Sequence, residues 1–172
     1  AAALDGQIEL VAGAFSSDAE KSKRSGEDLF INPSRVYQSY EEMILTEKSL
    51  PESERIDLVS IVTPNHVHFG PSKMAIENGF HVVCDKPLSY NLEEAYELQK
   101  VVKNSDRIFA LTHNYTGYPM VKQAKQMVKH GDLGKIRKVV VEYPQGWLST
   151  LLEASENKQA SWRTDPTKSG IA

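Results

Sequence analysis

The chain is poor in several things, and each shortage excludes a class of protein. It carries one cysteine, Cys84, so no disulfide can form within it and it suits a reducing compartment. No apolar run approaches the roughly 18 residues of a membrane-spanning helix. Ala1 to Leu4 is too short for a signal peptide and lacks a basic flank. Charge of neither sign dominates: 20 Lys and Arg stand against 23 Asp and Glu, a net charge of −3. The two signs are mixed along the chain, so the electrostatic footprint of a nucleic-acid binder is missing. Even the densest charged stretch, Asp18 to Asp28, carries both signs and reads as a solvated helix face. These shortages predict a soluble, cytoplasmic protein with neither nucleic acid nor membrane as a partner. What is present is ordinary for a globular chain, with 40% hydrophobic and 25% charged residues over 172 positions.

Apolar runs and helical patterns alternate along the sequence. Ile8 to Phe15 reads as a buried strand, and Ser17 or Asp18 can cap a short charged helix after it. A brief strand is expected at Val36-Tyr37. Ser39 and Glu42 have capping-box spacing before Met43, Ile44 and Leu45. Ile56 to Val62 is a second strand. Gly70-Pro71 then opens a helix that Gly79 closes. Phe80 to Cys84 is a third strand, Asn91 with Glu94 caps the next helix, and Arg107 to Leu111 is a fourth strand. Pro119 starts a helix carrying Met120, Val121, Ala124, Met127 and Val128, which Gly131 stops. Short linkers and apolar strands predict an α/β fold, a parallel sheet covered by helices on both faces. After Gly134 the pattern changes. Ile136 to Tyr143 reads as a longer, partly alternating strand with no crossover helix behind it, so a domain boundary is expected near Gly131 to Gly134.

In open parallel sheets, ligands bind beyond the carboxyl ends of the strands. Three successive strand ends here carry polar clusters: Thr63 to His68 (TPNHVH), Asp85 to Pro87 (DKP) and Thr112 to Tyr115 (THNY). Three such clusters on one edge suggest a shared cleft. Proline restricts Lys86 to extended backbone, and the Lys86-Pro87 bond could be cis. The tripeptide by itself reads as an ion-paired surface turn, and Lys86 could also hydrogen-bond a substrate hydroxyl or help move its proton. Thr63 and Asn65 can bind a ribose or phosphate oxygen. His66 and His68 have a spacing found in some zinc sites, but no further ligand clusters near them, so no metal is expected and helix-entry hydrogen bonding remains open. Asn114 can bind a nicotinamide-ribose or substrate oxygen, or simply form a turn. Tyr115 could line the pocket. Trp162 and Arg163 could offer an aromatic wall and a fixed charge, or plain packing.

One expected feature is missing. A dinucleotide-binding sheet opens with a strand and a G-x-G-x-x-G turn, and no such pattern occurs. Ala1 to Gly6 looks like a helix end, which would place the first strand and phosphate loop before residue 1.

TPNHVH, CDKP and HNY at these intervals resemble the glucose–fructose oxidoreductase and inositol dehydrogenase family (Gfo/Idh/MocA). The likeness runs on through GDLGKIRKV, EYPQGWL and WRTDPTKSG. It implies a Rossmann-type domain, here 1–133 without its first strand and phosphate loop. The start of an α+β domain with a mostly antiparallel sheet would follow at 134–172. It implies an NAD(P)-dependent oxidoreductase acting on a hydroxyl of a sugar, cyclitol or similar polyol, with subunits pairing through the second domain. Lys86 matches the lysine of the family's Glu-Lys-Pro motif, which contacts cofactor and substrate, with Asp85 standing where glutamate is usual and Pro87 behind. Thr63, Pro64, Asn65 and His68 match the cofactor-contact turn, Asn114 a polar residue near the nicotinamide, and Trp162-Arg163 a segment close to the cofactor in some members. The family's downstream Asp and His would follow Gly170, so the chain looks like an internal piece of a longer one. Ser16 and Ser17 occupy the turn that grips the adenine ribose; with Lys21, Lys23 or Arg24 nearby they could accept a 2′-phosphate, which leans toward NADP over NAD. Two other readings stay open: a non-catalytic binding or regulatory member of the fold, and a lyase or glycosidase-like enzyme that recycles NAD.

Overall fold

The computed structural model describes residues 6–144, 146, 149–154, 157, 160, 163, 165 and 169. The chain divides into two compact units, 1–111 and 112–172.

In the first unit the helices begin where short polar side chains can take the free N–H groups of a first turn. Asp18 accepts from the Lys21 N–H and starts α1 (Ala19–Asp28); Ser39 accepts from the Glu42 N–H and starts α2 (Tyr40–Ser49). Asn91 accepts from the Glu94 N–H and starts α4 (Leu92–Lys103). The Glu42 side chain reaches back to the Gln38 N–H (2.9 Å), one residue earlier than a strict capping box. α3 (Phe69–Glu77) ends at Asn78, and Gly79 follows with φ +88°, a left-handed conformation that a side chain would resist.

Three strands, β1 (Leu58–Ile61), β2 (His81–Cys84) and β3 (Phe109–Leu111), form a parallel sheet in the order β1-β2-β3. Ile61 lies beside Cys84 and Cys84 beside Leu111, so all three carboxyl ends share one edge. α3 crosses over between β1 and β2, α4 between β2 and β3, and α3 packs on both β1 and β2. The core gathers Ile44, Val59, Ile61, Ala75, Ile76, Phe80, Val82 and Cys84.

Among the ion pairs of this unit, that of Arg35 with Glu47 has a buried carboxylate. Glu47 is fully buried and accepts from Arg35 Nε (3.0 Å), the Tyr37 hydroxyl (2.8 Å) and the Ile56 N–H (3.1 Å). Burial pushes its carboxyl up, but these donors outweigh burial and hold it below the ordinary carboxylate range. Burial first, and then the bond to Glu47, push the Tyr37 phenol up to about 12.

Three expected strands do not form. Ile8–Phe15 is extended but joins a neighbour only at Gly13, whose N–H donates to Arg35 O (3.1 Å) and whose carbonyl accepts from Tyr37 N (2.9 Å). A strand needs a ladder, and among the described residues none runs beside 8–12. Its burial is also one-sided: Val11, Ala12 and Ala14 pack on the core, whereas Ile8 and Leu10 stay exposed. Val36-Tyr37 is likewise reduced to that single parallel bridge with Gly13.

The third, Ile136–Tyr143, lies in the second unit and has no ladder partner among the described residues; Ile136, Val139, Val140, Val141 and Tyr143 are all exposed. This unit carries the helix α5 (Pro119–His130), which starts on proline and stops at Gly131 with φ +82°. Among the described residues no helix is long and apolar enough to cross a membrane.

Candidate functional site at the carboxyl edge of the sheet

The β1 and β2 strands deliver their following turns to the same edge. After β1, Thr63 and Pro64 are exposed, and Asn65 opens a 3-10 turn (Asn65–Val67) in which its own side chain is buried. Asn65 Oδ1 accepts from the His66 N–H (3.0 Å). After β2, the Asp85 N–H donates to Ile61 O (2.8 Å), carrying the pairing one step past the strand. Asp85 Oδ1 then accepts from the Lys86 N–H (2.8 Å). The Lys86-Pro87 bond is cis, as the sequence allowed, and both residues are exposed.

His68 joins the two turns. Its ring is 1% exposed, with Nδ1 2.7 Å from Pro87 O and Nε2 2.8 Å from Thr63 O. Thr63, His68, Asp85, Lys86 and Pro87 therefore form one assembly across the two turns. The bond from His68 to Pro87 was not legible in the sequence, because it spans 19 residues and only the parallel pairing of β1 with β2 brings its ends together.

Ser16 and Ser17 belong to another turn, at the entry to α1. Ser16 Oγ accepts from the Asp18 N–H (3.2 Å), and Ser17 is exposed. Buried Ser22 holds the base of this turn: its hydroxyl accepts from the Phe15 N–H (3.1 Å) and donates to Tyr37 O (3.2 Å). No sequence signal marked Ser22, a serine in a charged helix. Cys84, beside the site in sequence, is buried, and burial pushes its thiol up, which disfavours a reactive thiolate.

In the second unit, Asn114 is exposed and opens a 3-10 turn (Asn114–Gly117). Tyr115 meets Tyr118 and Tyr143 edge to face, with ring centroids 5.5 and 6.1 Å apart. The Tyr143 hydroxyl donates to that of Tyr115 (3.2 Å), a bond that pushes the Tyr143 phenol up. Arg163 is exposed, and Trp162 lies outside the described residues.

A parallel sheet with polar turns gathered at its carboxyl edge defines the class: a Rossmann-like dinucleotide-binding fold. The model for the oxidoreductase family with an NAD-binding Rossmann fold matches residues 2–113. The chain belongs to this family, Gfo/Idh/MocA. An uncharacterized oxidoreductase of Bacillus subtilis is 34% identical over 95% of this chain and 41% of its own length. Levoglucosan dehydrogenase of Pseudarthrobacter phenanthrenivorans is 32% identical over 72% of this chain and 30% of its own. Among solved structures, an inositol dehydrogenase homolog from Azotobacter vinelandii complexed with NAD+ superposes with a TM-score of 0.90. It is 37% identical, covering 96% of this chain and 42% of that one. Its complex with NADH and myo-inositol gives a TM-score of 0.84 at 36% identity, covering 94% of this chain and 41% of that one. The chain thus spans less than half the length of each of these relatives.

Proposed function

We propose that the intact protein is an NAD(P)-dependent oxidoreductase that acts on a hydroxyl-bearing carbon of a sugar, cyclitol or similar polyol. The observation that carries this reading is the joined pair of turns at the carboxyl edge, with Thr63 and Pro64 exposed on one and Lys86 on the other. A hydroxyl, a buried amide and an ammonium suit the ribose and substrate oxygens of a nicotinamide complex. The relatives complexed with NAD+, and with NADH and myo-inositol, support the same reading.

When bound, the nicotinamide accepts or supplies the hydride. Lys86 holds the substrate hydroxyl and shares its proton, so that oxygen charge does not build up as the hydride moves. Thr63, Pro64, Asn65, Asp85 and Pro87 shape the cofactor side of the edge, and Ser16 and Ser17 meet the adenine ribose. The resemblance adds Asn114, Trp162 and Arg163 as further cofactor residues. Residues 1–133 serve as the dinucleotide domain. Residues 134–172 open a second, mostly antiparallel domain through which subunits pair; the exposed apolar run Val139–Val141 supports a further layer there.

The test is Lys86→Met in the intact protein, with nicotinamide reduction followed by absorbance over a panel of polyols. Turnover should fall roughly 100-fold or more, the range of general acid–base effects. Near-normal turnover would remove Lys86 from the chemistry.

A further inference from the structure

Strand ladders fix the backbone as far as Asp85, whose N–H still pairs with Ile61 O. Beyond it the chain leaves the sheet, and the turn that presents Lys86 needs another anchor. That anchor is the His68 ring at Pro87 O. The backbone of His68 is itself secured: its N–H donates to Asn65 O (3.2 Å) and its carbonyl accepts from the Ser72 N–H (3.2 Å), at the entry to α3. The opposite ring nitrogen faces Thr63 O. One rigid ring therefore touches the backbone of both turns that line the proposed cofactor edge.

The chemistry of the pair is specific. Both partners are carbonyl oxygens and can only accept, so a neutral ring donates to one at a time and an imidazolium to both. No other side chain carries N–H groups on opposite corners of a flat ring. An amide reaches one carbonyl, and phenylalanine fills the space with no donor. The ring is also almost wholly buried with both nitrogens engaged, which leaves it no polar atom to offer a ligand.

We infer that His68 is a positioning residue: by bridging Thr63 O and Pro87 O it sets the place of Lys86 relative to the cofactor turn, and it does not itself contact the dinucleotide. This rests on the oxidoreductase reading above. It moves His68 from the cofactor contacts that the resemblance implies to the support behind them.

The test compares wild type, His68→Gln and His68→Phe in the intact protein by hydrogen exchange, NADH and NADPH titration, and steady-state kinetics. In His68→Phe, exchange across 85–89 should quicken about tenfold or more while β2 keeps its protection. With the turn misplaced, kcat should fall about tenfold to 100-fold while dinucleotide affinity and KM change within about threefold. His68→Gln should recover part of both losses. Three results overturn the inference: unchanged exchange with kcat within about twofold, lost dinucleotide affinity at unchanged kcat, or exchange that rises equally through the whole first unit. If His68→Phe does not fold, His68→Gln is judged by the same results. Failure to bind either dinucleotide in wild type would sink the oxidoreductase reading instead, and the exchange pattern would still decide whether His68 fastens the turn.

Discussion

α4 and α5 are both 12-residue helices with one apolar side, yet they meet different fates. α4 lies in the unit that holds the sheet, packs against α3, and buries Leu98 to 1% exposure. α5 lies in the unit with no assigned strand among the described residues; Met120 is 75%, Val121 45% and Val128 51% exposed. The contrast extends to the strands. Val82 and Cys84 of β2 are fully buried, whereas Val139, Val140 and Val141, no less apolar, are exposed. Apolar spacing makes an element capable of burial, but only a surface to pack on turns that capacity into stability.

The contrast can be broken or sharpened by mutation. The largest effect should come from Phe80→Ala. Phe80 is fully buried beside β2, and the Arg55 guanidinium lies 5.8 Å from its ring centroid. Emptying that site should cost about 3–5 kcal/mol in chemical denaturation of the first unit.

Acid should come next. The folded Glu47 carboxyl sits below its ordinary range, so the stability it lends is complete above the unfolded carboxylate's pKa and drains away as pH falls through the lowered folded value. The thermal midpoint of the first unit should drop on acidification across that window, and Glu47→Gln, uncharged throughout, should flatten the slope at a lower starting stability. A slope unaltered in Glu47→Gln would assign the acid response to other groups.

The smallest effect is expected at Val128→Ala on α5, within about 0.5 kcal/mol, as for an exposed position. A loss as large as that of Phe80→Ala would mean that the apolar side of α5 is covered in solution, and the contrast between the units would then vanish.

Much of the first unit was legible because its signals are local. Asp18, Ser39 and Asn91 cap the helices they precede, and Gly79 takes the positive φ that ends a helix, as Gly131 does in the second unit. The three strand ends carry the polar clusters that point to a ligand edge. The strand expected at Ile8–Phe15 failed for the opposite reason. Its composition suits a sheet, but a strand is defined by its neighbours, and Gly13 meets only Val36. Ser22 and Glu47 were invisible for the same cause, since their partners, Tyr37 and Arg35, are brought to them by folding.

The site divides along the same line. The order of residues determined that Lys86 would stand on an extended turn after an apolar strand, and that Thr63 to His68 would follow another, because proline geometry and strand-to-helix turns act over a few residues. The tertiary structure alone decided that these turns meet, and that a histidine readable as helix-entry chemistry would set its two ring nitrogens against a carbonyl of each. Parallel pairing of β1 with β2 brings Thr63 and Pro87 to either side of one buried ring, and such a contact depends on the register of the sheet, which no short stretch of sequence encodes.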